Sequence, residues 1–291
     1  VKVSEGTYLF DFGQNMSGIT ELKVNGPKGT VVRVKHGEQL KDGRLDNSGI
    51  EVHYRPIDDK DPFQTDIYTL SGNGQEIFSP MFNYKGFRYA EVKIDNKVEL
   101  NKNNLTAYFT HTDVDPIGTV ETSNNLINKI WDATNKAYLS NLFGYPTDCP
   151  QREKNGWTGD AHTVIETALF NFDGILVYEK WMDDHRDEQQ IDGTLPSIIP
   201  TAGWGYSWGN GPDWTSSMIL VPWNVYKFYG DTRILEENYE NMRRYVSKIK
   251  SVSKDNLTSW GLGDWVPVKS KSNLEFTSSV FYYTDVLLIS K

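Results

Sequence analysis

This 291-residue sequence contains a single cysteine, Cys149, which excludes an internal disulfide and a cysteine-based zinc site. Its five histidines (His36, His53, His111, His162 and His185) are scattered, with no HExxH or comparable ligand spacing. No apolar run approaches the ~18–20 residues of a membrane-spanning helix, so a membrane partner is set aside. Basic residues are in deficit, 30 Lys and Arg against 39 Asp and Glu. The resulting net charge of −9 argues against nucleic acid or an anionic lipid surface as partner. The acidic stretches DNSG (46–49) and DDKDP (58–62) lack the spacing of an EF-hand loop. No metal and no cofactor is therefore expected. A secretory leader is also missing: the chain opens on KVSEGTYLFDFG, already strand-like. At the other end SSVFYYTDVLLISK stops without a cap or tail, and the chain is read as trimmed. Its location is then periplasmic or extracellular if an upstream signal was removed, and cytoplasmic otherwise.

With 38% hydrophobic residues the chain can bury sizeable cores, and its length suggests roughly two domains. The texture changes near residue 115. Before it, TYLFDFG, ITELKV, TVVRVKHGE, DIYTLSG and FRYAEVKI are short runs rich in Val, Ile, Tyr, Phe and Thr. Gly-, Asn- and Asp-rich breaks separate them, as expected of a jelly-roll-like β-sandwich over 1–114. The polar stretch 43–66 lacks periodicity and is expected to be a large surface loop. After residue 115 the period becomes helical, starting with Ser123 as N-cap and a stripe of Leu126, Ile127, Ile130 and Trp131. Further helices are expected at about 158–170, 174–190, 215–229, 232–253 and 274–289. Such a run suggests an array of helical pairs over 115–291.

The most informative segment is DCPQREKNGWTGD, residues 148–160. It gathers Asp148, Cys149, Arg152, Glu153, Trp157 and Asp160, punctuated by Pro150, Gly156 and Gly159, and reads as an ordered loop leading into a helix. Carboxylates beside an indole suit sugar cleavage, in which one acid protonates the leaving oxygen, others hold hydroxyls and the indole faces the ring. A charged surface loop has the same composition. All nine tryptophans lie after residue 115. Trp131 and Trp181 fall mid-helix, where core packing is expected. Those in GWGYSWGNGPDW and WGLGDW sit in loops, and the pairs Asp213–Trp214 and Asp264–Trp265 each join an acceptor to a flat apolar face. Capping and packing would explain each pair equally well.

DCPQREKNGWTGD resembles the signature segment of bacterial α-L-rhamnosidases of glycoside hydrolase family 78. DFGQNMSGITELKV, the VKHGE ladder and MFNYKGFRYAEV are similar to that family's β-sandwich, so the resemblance covers nearly the whole chain. It implies a jelly-roll-like β domain followed by part of an (α/α)6 barrel, and inverting hydrolysis of terminal α-L-rhamnosyl groups. Carried over by position, Glu153 is the general acid. Asp148 and Asp160 hold rhamnose hydroxyls, Trp157 lines the sugar site, and Arg152 orients a carboxylate or touches a hydroxyl. Asp264 and Trp265, and then Asp213 and Trp214, are further substrate-binding candidates. The partner implied is a rhamnose-containing oligosaccharide or glycoside.

A general acid must hold its proton, so carboxylates and an indole should surround Glu153, with no direct Arg152 bridge and with Arg152 or Lys154 turned elsewhere. Glu166, Glu179, Glu188 and Glu275 do not match the context of the family's general base, and only about half of the barrel's helices fit into 115–291. The chain is accordingly expected to be a portion lacking the base and inactive or feeble alone. Helix faces left uncovered should drive association, including homo-oligomers. Two other readings stand beside this one: another inverting (α/α)6 glycosidase, and a non-catalytic carbohydrate-binding protein.

Overall fold

The computed structural model describes residues 1–51, 62–94 and 98–291. They cluster into two compact units. One comprises Val1–His111, Leu139–Asn141 and Cys149–Lys154; the other comprises Thr112–Tyr138, Leu142–Asp148 and Asn155–Lys291. Two short pieces from beyond residue 114 thus cluster with the first unit.

That first unit contains strands β1 (Lys2–Ser4), β2 (Thr7–Asn25), β3 (Val31–Gly37), β4 (Gln39–Lys41) and β5 (Arg44–Asp46), then a one-turn helix α1 (Ser48–Glu51). Strands β6 (Thr65–Thr69), β7 (Gln75–Phe78), β8 (Lys85–Ile94) and β9 (Leu105–Phe109) follow. All described pairings are antiparallel. Strand β2 carries most of them: residues 7–11 and 16–18 pair with β8, 18–22 with β9, and 22–25 with β7. One strand serving successive partners is how an antiparallel chain passes between the faces of a sandwich. TYLFDFG and ITELKV are therefore one strand rather than two. The expected break is a bulge between Asp11 and Met16, where Gly13 takes φ 80° and its N–H reaches Asp11 Oδ1 at 2.8 Å.

Period-2 alternation builds the core here. Val32 and Val34 on β3 are buried with Leu22, Val24, Ala90, Val92 and Ile94, while the alternating Arg33 and Lys35 lie on the other face and are only half-buried. His36, next inward, is fully buried; its ring nitrogens hydrogen-bond Thr20 Oγ1 at 2.9 Å and Gln64 O at 3.1 Å. The stretch 43–66 is not one loop. Its start forms the β4–β5 hairpin, fastened by a bidentate pair from Arg44 to Glu91 at 2.7 and 2.9 Å. Residues 52–61, with His53 and most of DDKDP, lie outside the described residues.

The second unit is helical: α2 (Asn125–Ser140), α3 (Thr158–Asn171), α4 (Ile175–Glu188), the short α5 (Pro212–Thr215), α6 (Ser217–Tyr229), α7 (Arg233–Val252) and α8 (Leu274–Ile289). Helix α6 sits among α3, α4, α7 and α8, which explains why it is apolar nearly all round and buries Met218, Val221 and Val225. Trp181 is fully buried, its indole N–H on Ile199 O at 2.9 Å. Trp131 donates to Asn171 Oδ1 at 2.8 Å. The cap of α2 is Asn124, not Ser123, because Asn124 Oδ1 accepts from Leu126 N at 2.9 Å. The stripe on α2 faces solvent: Leu126, Ile127 and Ile130 are about half or more exposed, as are Phe276, Val280 and Tyr283 on α8. No helix among the described residues is long and apolar enough to cross a membrane.

Burial lowers the pKa of His36 from 6.5 to about 4, so the folded chain holds it neutral. Unfolding releases an imidazole that takes a proton below pH 6.5. Stability is therefore complete above that pH and falls as pH drops towards 4, by up to ~1.4 kcal/mol per unit. Thermal unfolding of the β unit between pH 7 and 4.5 should show His36→Gln losing less stability than the parent. Equal losses would mean that His36 is not the titrating group.

Candidate functional site

Residues 148–160 form a turn pinched at its base and opening into α3. Asp148 N–H donates to Asn155 O at 3.0 Å, and Asn155 N–H donates back to Asp148 Oδ1 at 3.0 Å. Within the turn, Lys154 N–H reaches Cys149 O at 3.1 Å and Glu153 N–H reaches Cys149 Sγ at 3.3 Å. Lys154 sits in the left-handed region at φ 57°, and that reversal swings its side chain away. Its ammonium donates to Tyr84 O at 2.6 Å and lies over the Tyr84 ring at 4.6 Å. Burial there lowers its pKa to about 8. Lys154 is thus the cation that points elsewhere. Arg152 does not: its Nη2 lies 3.7 Å from Glu153 Oε1, with Glu153 one-third exposed. The expectation of no Arg152 bridge fails, because only Lys154 occupies the left-handed position.

Trp157 is 8% exposed, bridged to Ile198 on the backbone, and begins a chain of indoles within the helical unit. Its ring meets Trp208 edge-on at 5.8 Å and Trp204 at 6.0 Å. Trp208 meets Trp265 at 6.3 Å, and Trp265 meets Trp214 at 6.1 Å. Edge-to-face contacts suit the indole quadrupole and hold the rings without stacking them into a closed slab. Trp214 lies directly over Gly159 in the first turn of α3, where a Cβ would approach its ring to 2.8 Å. Gly159 in the signature is thus the space that Trp214 fills. The next residue, Asp160, is exposed in the same first turn, where the helix dipole favours a carboxylate. Asp264 accepts from Ser272 N–H at 2.7 Å, and the hydroxyl and amide of Ser272 lower its pKa.

Asp213 makes the backbone-capping contacts that its sequence context allowed beside binding. It is 6% exposed, and its Oδ2 accepts the N–H groups of Leu262 (2.8 Å) and Gly263. The other oxygen, Oδ1, is buried without a hydrogen-bond partner among the described residues. Burial raises its pKa. Through these two amides the carboxylate holds the loop that carries Asp264 and Trp265. Above it, Gly211 and Gly261 cross so closely that a Cβ on Gly211 would lie 2.5 Å from Gly261 Cα. The residues that follow reach three other helices. Thr215 Oγ1 meets Tyr245 OH on α7 at 2.8 Å, and Ser216 Oγ donates to buried Asp285 on α8 at 2.6 Å. Ser217 Oγ meets His185 Nε2 on α4 at 2.9 Å. Burial raises the pKa of Asp285 well above the usual carboxylate range.

Of Glu166, Glu179, Glu188 and Glu275, the first three are held by neighbours. Glu166 pairs with Lys227 at 2.7 Å and Glu179 with Arg233 at 3.2 Å. Glu188 accepts from Thr201 N–H and Tyr206 OH at 3.1 and 2.9 Å. Glu275, in the first turn of α8, borders a cleft with Phe276, Val280 and Tyr283. Sequence reasoning placed Trp204 and Trp208 on a loop but did not join them to Trp157. Nothing in local spacing tells which distant ring an indole will meet.

Two family models cover the chain. One, bacterial alpha-L-rhamnosidase 6 hairpin glycosidase domain, matches residues 115–291; the other, bacterial alpha-L-rhamnosidase concanavalin-like domain, matches residues 1–111. An alpha-L-rhamnosidase of Alteromonas sp. (strain LOR) is 31% identical over 91% of this chain and 28% of its own length. One from Streptomyces avermitilis is 31% identical over 97% of this chain and 27% of its own length. Among solved structures, an alpha-L-rhamnosidase from Dictyoglumus thermophilum superposes with a TM-score of 0.90 at 35% identity, over 100% of this chain and 32% of that one. The Streptomyces avermitilis enzyme complexed with L-rhamnose gives a TM-score of 0.87 at 28% identity, over 99% of this chain and 27% of that one. The chain thus spans about 27–31% of the length of the curated relatives it matches.

Proposed function

The chain belongs to the bacterial α-L-rhamnosidases of glycoside hydrolase family 78, and from that membership we propose that it carries the acid and the sugar-binding half of an inverting rhamnosidase site. The substrate is a glycoside or oligosaccharide ending in α-L-rhamnose. Glu153 gives its proton to the departing glycosidic oxygen. Asp148 and Asp160 bind rhamnose hydroxyls, Arg152 orients a carboxylate or touches a hydroxyl, and Trp157, Trp214 and Trp265 face the apolar side of the ring. Asp264 borders that wall. Inversion requires a second carboxylate ~6.5–9.5 Å from the acid, on the far side of an attacking water. Glu166, Glu179 and Glu188 are engaged by Lys227, Arg233 and Tyr206, so none of them is assigned as that base. In this reading residues 1–114 form the sandwich and 115–291 a portion of the (α/α)6 barrel.

The observation that carries the reading is the run of indoles Trp157, Trp208, Trp265 and Trp214 in mutual contact, beginning on the signature segment itself. A wall of that kind is what a carbohydrate site requires, and a relative with this fold was crystallised with L-rhamnose. In the full-length protein, Glu153→Gln should leave L-rhamnose binding intact and slow hydrolysis of natural rhamnosides ~10²–10⁴-fold. Rhamnosides with activated leaving groups, which need little proton assistance, should slow far less. Natural rhamnosides cleaved at the parental rate would remove Glu153 as the acid.

The exposed apolar stripes of α2 and α8 support association through a second copy of the chain. Sedimentation at micromolar concentration should show a dimer that Ile130→Glu or Phe276→Glu dissociates. A parent that sediments as a monomer would end that part of the proposal.

A further inference from the structure

The loop between α4 and α5 presents more aromatic surface than a single terminal sugar would use. Trp204 and Trp208 are 54% and 49% exposed, yet their rings lie 6.1 Å apart and both touch Trp157. Exposed indoles on a mobile loop would fold inward; these are kept outward by the residues between them. Tyr206 turns in and donates to Glu188 O at 2.7 Å and to Glu188 Oε2 at 2.9 Å. Asn210 Nδ2 donates to Tyr206 O at 2.7 Å and to Leu195 O at 3.2 Å, and Ser197 Oγ holds Trp208 O at 3.1 Å. Gly203, Gly205 and Gly209 sit at φ 84°, 73° and 80°, which lets the chain reverse between successive aromatics. At Gly209 a Cβ would come within 2.8 Å of Ser197 Oγ and 3.2 Å of the Trp157 ring. The loop is thus fastened at its polar residues and offers its two indoles preformed, so a ligand would not have to order them.

We propose that Trp204 and Trp208 form a second subsite, for the sugar unit to which the terminal rhamnosyl group is attached. The inference rests on the rhamnosidase reading, because it takes Trp157 and Trp265 as the inner wall that Trp208 extends. Each outer indole is open over about half its surface, which makes a platform rather than a slot. A flat hydrophobic group gains most where both its faces are enclosed. A pyranose has one C–H face to rest on a ring and hydroxyls that stay in water, and it needs one side only.

The test compares affinities for L-rhamnose and for a disaccharide of rhamnose α-linked to glucose, by calorimetry on the parent and on Trp204→Ala, Trp208→Ala and Trp204→Phe. The parent should bind the disaccharide more tightly than rhamnose. Trp204→Ala and Trp208→Ala should reduce that preference about five- to tenfold, and Trp204→Phe, which keeps a ring, should restore most of it. A parent with no preference for the disaccharide, or variants that weaken both ligands equally, would overturn the subsite and leave the rhamnose reading standing. Loss seen with an aryl rhamnoside but not with the disaccharide would also overturn it. A parent that binds neither sugar would sink the rhamnose reading and the subsite together.

Discussion

One carboxylate fixes the spacing of the two loops that carry Trp214 and Trp265. Asp213 Oδ2 gathers the N–H groups of Leu262 and Gly263, while the backbones cross at Gly211 and Gly261 with no room for a side chain on either. Trp214 follows Asp213 directly, and Trp265 follows the loop it grips, so the two indoles meet at 6.1 Å because one acid holds both their backbones. Burying a carboxylate is costly without hydrogen bonds to receive it. Two backbone donors supply them here, and the burial that remains is reflected in the raised pKa of Asp213.

The same short run ties the helices together. Thr215, Ser216 and Ser217 each engage a different partner, Tyr245 on α7, Asp285 on α8 and His185 on α4, all of them buried. Small hydroxyl side chains suit such a crossing, since each satisfies one buried group without filling space that α6 needs. The arrangement makes the site an outgrowth of the helix packing. A loop anchored at both ends by buried polar contacts can hold exposed tryptophans that would otherwise collapse onto the surface.

Much of this was legible in the residues, for physical reasons that can be named. Helix α7 follows a period close to 3.6, and β3 alternates so regularly that its inward residues could be read directly. The bulge in β2 was hidden because Gly and Asn mark turns and bulges alike. The cap at Asn124 was misplaced by one residue, since Ser123 and Asn124 are both good caps. Trp157, Trp214 and Trp265 were singled out from their company, and Asp213 was left between binding and capping. An acid beside a tryptophan looks the same in sequence whether it faces a sugar or a loop, and only burial separates the two. Lys154 shows the opposite case: the need for a cation to leave Glu153 was a chemical argument, and its left-handed backbone supplies the means.

Amide hydrogen exchange at Leu262 and Gly263 tests the role of Asp213 most directly. In the parent both amides should be strongly protected. In Asp213→Ala they should exchange at least tenfold faster, a loss of ~1.4 kcal/mol or more for two charge-assisted bonds, while amides in the middle of α6 and α7 keep their protection. Unchanged protection at the two amides would contradict the account. So would a loss spread evenly through the helices, because Asp213 would then support the unit as a whole rather than the loop bearing Trp265.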